Sequence, residues 1–528
     1  MLRVVLQRVI ILGGLVAVLV GLQATTNNNL LLNLPDDLDV IQAILSKRAQ
    51  EDAKNKAIEA YYEQLLQEEE ERLEAEEDRI QAEEDAIINA YTLGDRDKAQ
   101  DYQNLFDNSI KHTFIIEFDS SEWQGLIDDM ELYHSVYGTY RSNNYRQVDV
   151  VYQTDDEEFR IPDVGIRSKG NIFSRYPPVN GNGDVIPIHY VLKFNETFDT
   201  LPGTEAYTLL KTREVFDLEK LAFKWNRNYD PTFLSEVYSM QVFRDAGVPA
   251  PNMSLTKFVI KIDGVIVQEE LYSVQEVIDE EFVRKHLQDT PSDEVGDLYK
   301  VIWPGTLEPI YDMNWIGIRD WVANHRPVYG LETNEDLKNY AQLVNFTHSL
   351  DASDTIARKV FIDESIDVDN MIRAFAVSVL LGNPDDYRGN ANNYYIYFDL
   401  DGVFHYIPYD FDHSLGQGWD GSPVFIDYSL GNDIYIWEGD GFGSNTDDIP
   451  LIDNILLEYE EYQILYENYL EQFVTDGTFS YEGFSELFDM AYTLYGDEFW
   501  MANNKEYYIT TKIQVVLEDI EYYRNLRN

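Results

Sequence analysis

Cysteine is absent from all 528 residues, which excludes disulfide frameworks, thiolate zinc sites and cysteine nucleophiles. Basic charge is scarce: 40 Lys and Arg stand against 96 Asp and Glu, a net charge of −56. Such a chain repels phosphate backbones, so nucleic-acid binding through a basic face is disfavoured. Divalent cations and basic peptides are attracted instead. Internal repeats are missing, and the one long apolar run is Val9–Leu22. What remains is ample for folding. Hydrophobic residues make up 44% and aromatics 14%, which excludes a wholly disordered chain. The length implies roughly two to four domains.

Residues 1–24 read as a signal peptide or N-terminal anchor. Arg3 and Arg8 precede the apolar run, which suits an export segment and is short for a membrane span. Leu22-Gln23-Ala24 is an incomplete cleavage signal, so a retained membrane anchor is the alternative to a secreted chain. Either way the remainder is expected outside the cytoplasm, where cysteine avoidance also fits. Residues 25–105 form an acidic stalk. From Asp36 to about Tyr91 there is no Pro or Gly, and strong helix formers dominate. One helix of that length reaches roughly 80 Å. Leu66, Leu73, Ile80 and Ile87 recur every seven residues, but Glu69, Glu76 and Glu83 occupy the second heptad position. A coiled coil, and an oligomer through it, is therefore weakly encoded next to a solvated stalk. Gly94 and Asp95 end the helix.

Residues 106–285 are β-rich. Strands are expected at 112–119, 148–153, 157–170, 189–195 and 206–212, then a helix over 231–247 and a hairpin turning at Asp263-Gly264. After about Asp279 the pattern becomes largely helical through 286–528. The helix at 368–382 is apolar around much of its surface and is expected to be buried.

The chemistry concentrates in 382–418, "GNPDDYRGNANNYYIYFDLDGVFHYIPYDFDHSLGQG". A helix ends at Gly382, an Asn/Asp loop follows, and two strands turn around Leu400-Asp401-Gly402. Antiparallel pairing places Asn393 opposite about Pro408 and brings Asn393 and Asp410 to one end of the hairpin, within roughly 10 Å. Asp385 or Asp386 enters there too. Two carboxylates and a carboxamide suit a hard divalent cation beside a base. The order helix, base-bearing loop, Asn, hairpin and Asp is that of phosphoryl transfer in protein kinases. A turn-rich, solvated acidic loop is the competing reading.

Six segments, taken in order through most of 113–528, resemble the CotH kinase family of atypical secreted or spore-coat protein kinases. They are "GIRSKGN" (165–171), "HYVLKFN" (189–195), "EVYSMQVFRDAGVPAP" (236–251), "LYSVQEVID" (271–279), "NPDD…NNYYIY" and "IPYDFDHSLG". The resemblance implies an α+β, atypical protein-kinase-like bilobal fold, with a β-rich N-lobe and an α-rich C-lobe after the long charged helix. It implies ATP with Mg²⁺ or Mn²⁺, and transfer to Ser or Thr of a protein. It makes Asp385 the catalytic base, with Asp386 the competitor, and Asn393, Asp410 and Asp412 the metal ligands. Arg167 and Lys169 would steer phosphates, and Lys193 would be the strand lysine that Glu236 orients by ion pairing. Glu276 would lie at the connection beside adenine. Tyr409 departs from the family's Trp before the Asp.

The net charge leads to the expectation of a basic context around the acceptor residue. A kinase-like fold kept as an inactive structural or Ca²⁺-binding surface protein is the alternative. Carbohydrate hydrolysis has little support, since no carboxylate pair stands out.

Overall fold

The structure, a computed structural model, describes residues 38–527 apart from 95, 173, 289–291, 293, 437–448, 497–498 and 500–502. The export segment read at 1–24 lies outside the described residues. Among these residues no helix is long and apolar enough to cross a membrane. The chain divides into two units, 1–85 and 86–528.

In the first unit one helix begins at Leu38, and it runs on to Thr92 in the second. Gln64 and Gln67 donate to Glu68 and Glu71 one turn on, the local pairing that supports a polar helix. Gly94 follows its end at φ +71°, a left-handed conformation that glycine adopts without strain.

In the second unit seven strands close a barrel. They are β1 (Thr113–Phe118), β2 (Arg146–Gln153), β3 (Glu158–Ser168), β4 (Tyr190–Lys193), β5 (Lys220–Trp225), β6 (Met253–Ile262) and β7 (Val265–Glu276), in the order β1-β2-β3-β4-β5-β7-β6. Every neighbour is antiparallel except the closing pair, β1 with β6, which is parallel with Phe114 beside Phe258. Alternation fills the interior: Phe114, Ile116 and Phe118 of β1 and Leu221 and Phe223 of β5 lie in one buried cluster. The helix Ser120–Tyr137 adds Trp123, Leu126 and Met130 to it, residues of one helix face.

A second sheet has the order β12-β11-β8-β10-β9, from β8 (Asp297–Val301), β9 (Ile316–Gly317), β10 (Tyr329–Leu331), β11 (Tyr394–Phe398) and β12 (Phe404–Pro408). The helix Val368–Leu381 is buried along most of its length, and the helices Glu460–Thr475, Tyr481–Tyr495 and Asn503–Arg527 complete that core.

Three expectations change. Residues 205–211 form a helix, not a strand, because Thr204 caps it by accepting from the Tyr207 amide. The β-rich part holds more than one helix, since 120–137 is also helical. Finally, Tyr394 rather than Asn393 faces Pro408, so the hairpin register is displaced by one residue.

Candidate active site

Lys224 stands at the centre of the site. With Leu221 and Phe223 turned into the barrel, the alternation of β5 sends Lys224 to the other side. Its Nζ lies 2.6 Å from Glu236 Oε1 and 2.5 Å from Asp410 Oδ1. Three elements meet in that contact: a barrel strand, the helix Ser235–Asp245, and the segment that follows β12. Phe411 locks them by packing edge-on to Phe243 of that helix, with ring centroids 4.8 Å apart.

Three carboxylates face Lys224. Burial would raise the Asp410 carboxyl, but Lys224, Lys169 and Lys300 outweigh it and hold the group well below its ordinary range. Burial pushes the Glu236 carboxyl up to about 7 against the pull of Lys224, and Asp410 and Asp412 add to the rise. Lys224 stays charged because the attraction of Asp410 and Glu236 exceeds its desolvation. His189 accepts from the Trp225 amide at 3.0 Å. Burial and the nearby Lys224 and Lys169 lower its pKa to about 3, so it remains neutral.

Asp385 is held by carboxamides. Its Oδ1 accepts from Asn390 at 2.5 Å and Asn392 at 2.9 Å, and its Oδ2 from Asn393 at 2.9 Å. Burial raises its pKa, as does the charge of Asp410. Asn383 joins the two stretches: its Oδ1 accepts from the Asp385 amide and its Nδ2 donates to the Asp410 carbonyl at 3.2 Å. Asp386 has a different task. Buried to 1% exposure, it caps the helix Tyr387–Asn390 by accepting from the Gly389 amide. Of the two adjacent aspartates, it is Asp385 that is hydrogen-bonded to Asn393 and raised by the charge of Asp410.

Asn393 and Asp410 both sit in left-handed backbone, at φ 55° and 63°. Conformations of that kind in non-glycine residues concentrate at functional sites. Because Asn393 spends its NH₂ on Asp385, its Oδ1 accepts no hydrogen bond among the described residues, and neither does Asp410 Oδ2. Two free hard oxygens at one end of a hairpin fit a small divalent cation that completes its shell with water and phosphate. Asp412 is farther out. Its carbonyl accepts from Asn228, while its carboxylate influences Lys224 and Glu236 through space. Among the described residues no cluster of three or more His, Asp and Glu side chains is arranged to hold a metal.

Other candidate residues fall elsewhere. Lys193 pairs with Glu196 at 2.9 Å, three residues along its own chain, so the partner of Glu236 is Lys224 and not Lys193. The carboxylate of Glu276 is fully buried and accepts from Tyr102, from His286 and from Asn252, tying two helices to the barrel rather than facing Lys224. Lys169 does reach the site: its Nζ donates to Gln275 and lies near Asp410 and Lys224. Arg167 points elsewhere, toward Tyr145 and Trp321. Lys224 is not among the residues singled out from the sequence, where no strand is expected at 220–225. The signal was present, since Leu221, Phe223 and Trp225 alternate with Lys220, Ala222 and Lys224.

Known proteins bear on this arrangement. No curated protein matches the chain. Among solved structures, a chain of the Shewanella oneidensis MR-1 HipA, HipB and operator DNA toxin–antitoxin complex aligns at 13% identity over 58% of this chain and 60% of that one, with a TM-score of 0.27. This chain therefore spans less than two thirds of that protein. The Helicobacter pylori proinflammatory kinase CtkA aligns at 12% identity over 57% of this chain and 91% of its own, with a TM-score of 0.22. The family model described as CotH kinase protein matches residues 200–528. Lys224, Glu236, Asp385, Asn393 and Asp410 all lie inside that span, whereas the segments at 165–171 and 189–195 fall before it. With most of its length matched, the chain belongs to the CotH kinase family.

Proposed function

We propose that this protein is an exported protein kinase, which transfers the γ-phosphate of ATP to a Ser or Thr hydroxyl of a protein. The barrel and the helical part serve as the two lobes. The observation that supports this reading is the contact of Lys224 with both Glu236 and Asp410, since a strand lysine ordered by a helix glutamate beside a metal-binding aspartate is what phosphoryl transfer requires.

Lys224 binds phosphate oxygens, and Glu236 fixes the direction of its ammonium. Lys169, lowered to about 8 by burial and by Lys224, supplies a second positive charge. Asn393 Oδ1 and the Asp410 carboxylate would hold a Mg²⁺ or Mn²⁺ ion, whose contribution is to neutralise charge on the transferring group. Asp385 Oδ2 keeps a lone pair beyond its bond from Asn393, and it accepts the proton of the acceptor hydroxyl. The three carboxamides hold that carboxylate in one orientation.

The test is transfer from labelled ATP to Ser-containing peptides by the purified chain with Mg²⁺ or Mn²⁺. Transfer is expected, and it falls by about a hundredfold or more in Asp385→Asn and in Asp410→Asn. No transfer with either metal, or transfer undiminished in both variants, overturns the reading.

A further inference from the structure

The helix that carries Glu236 is built into the helical part. Leu234, Val237, Met240 and Phe243 lie in the buried cluster shared with the helices Val368–Leu381, Glu460–Thr475 and Asn503–Arg527, whereas Leu221 and Phe223 of β5 lie in the cluster of the barrel. Tyr238 of the same helix donates to the Ser480 carbonyl at 2.8 Å, accepts from the Ser480 amide at 3.0 Å and packs edge-on to Phe484. Asp410 is mounted on that side too, through Phe411 against Phe243. Lys224 therefore reaches out of the barrel to two carboxylates that stand on a common base.

One buried ammonium fastens that base. Lys505, in the first turn of the helix Asn503–Arg527, is fully buried. Its Nζ donates to Ser235 Oγ at 2.6 Å and to Gln417 Oε1 at 3.2 Å, and lies 3.7 Å from Asp230 Oδ1. Each partner borders the site. Ser235 directly precedes Glu236, Gln417 lies in the segment leading away from Asp410, and Asp230 falls between Lys224 and Glu236 in the chain. The partners are also bound to one another and to the site. Asp230 Oδ2 accepts from the Ser235 amide at 2.9 Å and from its hydroxyl at 2.6 Å. Gln417 Nε2 donates to the Asn228 carbonyl at 2.9 Å, and Asn228 Nδ2 donates to the Asp412 carbonyl at 3.4 Å.

Burying an ammonium is costly, and an apolar side chain of similar volume often stabilises a fold as well or better. An apolar chain supplies no direction, whereas three N–H donors hold their acceptors at set distances. We propose that Lys505 is a positioning residue for phosphate transfer. It holds the first turn of the Glu236 helix against the segment after Asp410, so that both carboxylates meet Lys224 as one rigid receiver. This rests on the kinase reading for the word transfer, but the receiver can be probed without ATP. Loss of the fastener leaves Lys169 and Asn393 in place and changes where Lys224 points.

The experiment compares the full-length wild type with Lys505→Met in two measurements. The first is acylation of lysines by acetic anhydride without nucleotide, read by mass spectrometry. Lys224 is shielded by Glu236 and Asp410, while Lys512, on the same helix as Lys505, is fully buried and donates to the Ser429 carbonyl. Lys224 is expected to acylate about fivefold or more faster in the variant, with Lys512 within about twofold of the wild type. The second is steady-state transfer, where kcat is expected to fall by about tenfold or more with KM for ATP within about threefold. If Lys505→Met does not fold, because Asp230 is left as a buried charge, Ser235→Ala takes its place with the same expected outcomes. Unchanged Lys224 acylation, or unchanged kcat in a chain that transfers, overturns the proposal. So does an equal rise at Lys512, which marks general loosening rather than lost direction. Faster acylation of Lys224 but not of Lys512, in a chain that transfers no phosphate, keeps the receiver and removes the kinase reading.

Discussion

At the scale of single residues, Lys224 and Lys193 make the sharpest contrast. Both are strand lysines with a nearby glutamate, but Lys193 meets its partner three residues along the chain and Lys224 reaches across two elements. Lys224→Met is expected to lower kcat/KM by about a hundredfold or more, and Lys193→Met by no more than about twofold, with circular dichroism unchanged. Steady-state transfer assays on the two variants check this. A second residue prediction concerns acid. His112 is buried against Tyr152, 2.9 Å from its hydroxyl, and desolvation lowers its pKa to about 4 from 6.5. Below 6.5 the unfolded chain binds the proton and the folded chain does not. Stability is therefore intact above 6.5 and lost as pH falls toward 4, by about 3 kcal/mol at most from this residue. His112→Gln is expected to flatten that part of the profile, measured by urea unfolding at pH 7 and pH 4.5.

At the scale of elements, much of the hairpin was readable, because Asn and Asp clusters and the Asp401-Gly402 turn mark its ends and alternation marks its strands. The helix over 368–381 was readable from its apolar circumference. Short elements were not. Glu205–Lys211 is seven residues, too few to separate a helical period from alternation without giving weight to Thr204 as its cap. Strand β5 failed for another reason: its lysines look like surface residues until the partners 12 and 186 positions away are known. Nor could spacing alone separate Asp385 from Asp386, since the difference lies in which one the next helix consumes as a cap. Gly382 supplies the prediction at this scale. It ends the buried helix at φ 64°, and a Cβ there would stand 2.1 Å from Tyr508 Oη and 2.7 Å from Ser429 Cβ. Gly382→Ala combines backbone strain with overpacking and is expected to cost about 2–4 kcal/mol. The fall in denaturant midpoint measures it, and because this helix leads into the Asp385 loop, transfer activity should fall too.

At the scale of the whole molecule, the division near residue 85 gives a simple expectation. A chain beginning at Ala86 retains Tyr91, which donates to Asp163 at 2.5 Å on the barrel, and so keeps the end of the long helix in place. Such a truncation is expected to melt within about 2 °C of the full chain, because the buried clusters lie entirely within 86–528. Differential scanning calorimetry on both chains tests it. Another consequence comes from the parallel seam that closes the barrel. Strand β1 ends at Phe118, yet its companion β6 does not begin until Met253. During synthesis the first strand must wait for more than a hundred further residues, with one flank open to any passing polypeptide. A ribosome stalled between those points releases an adhesive fragment rather than a half-built barrel, and a chaperone that shields that flank would govern the yield of the finished molecule.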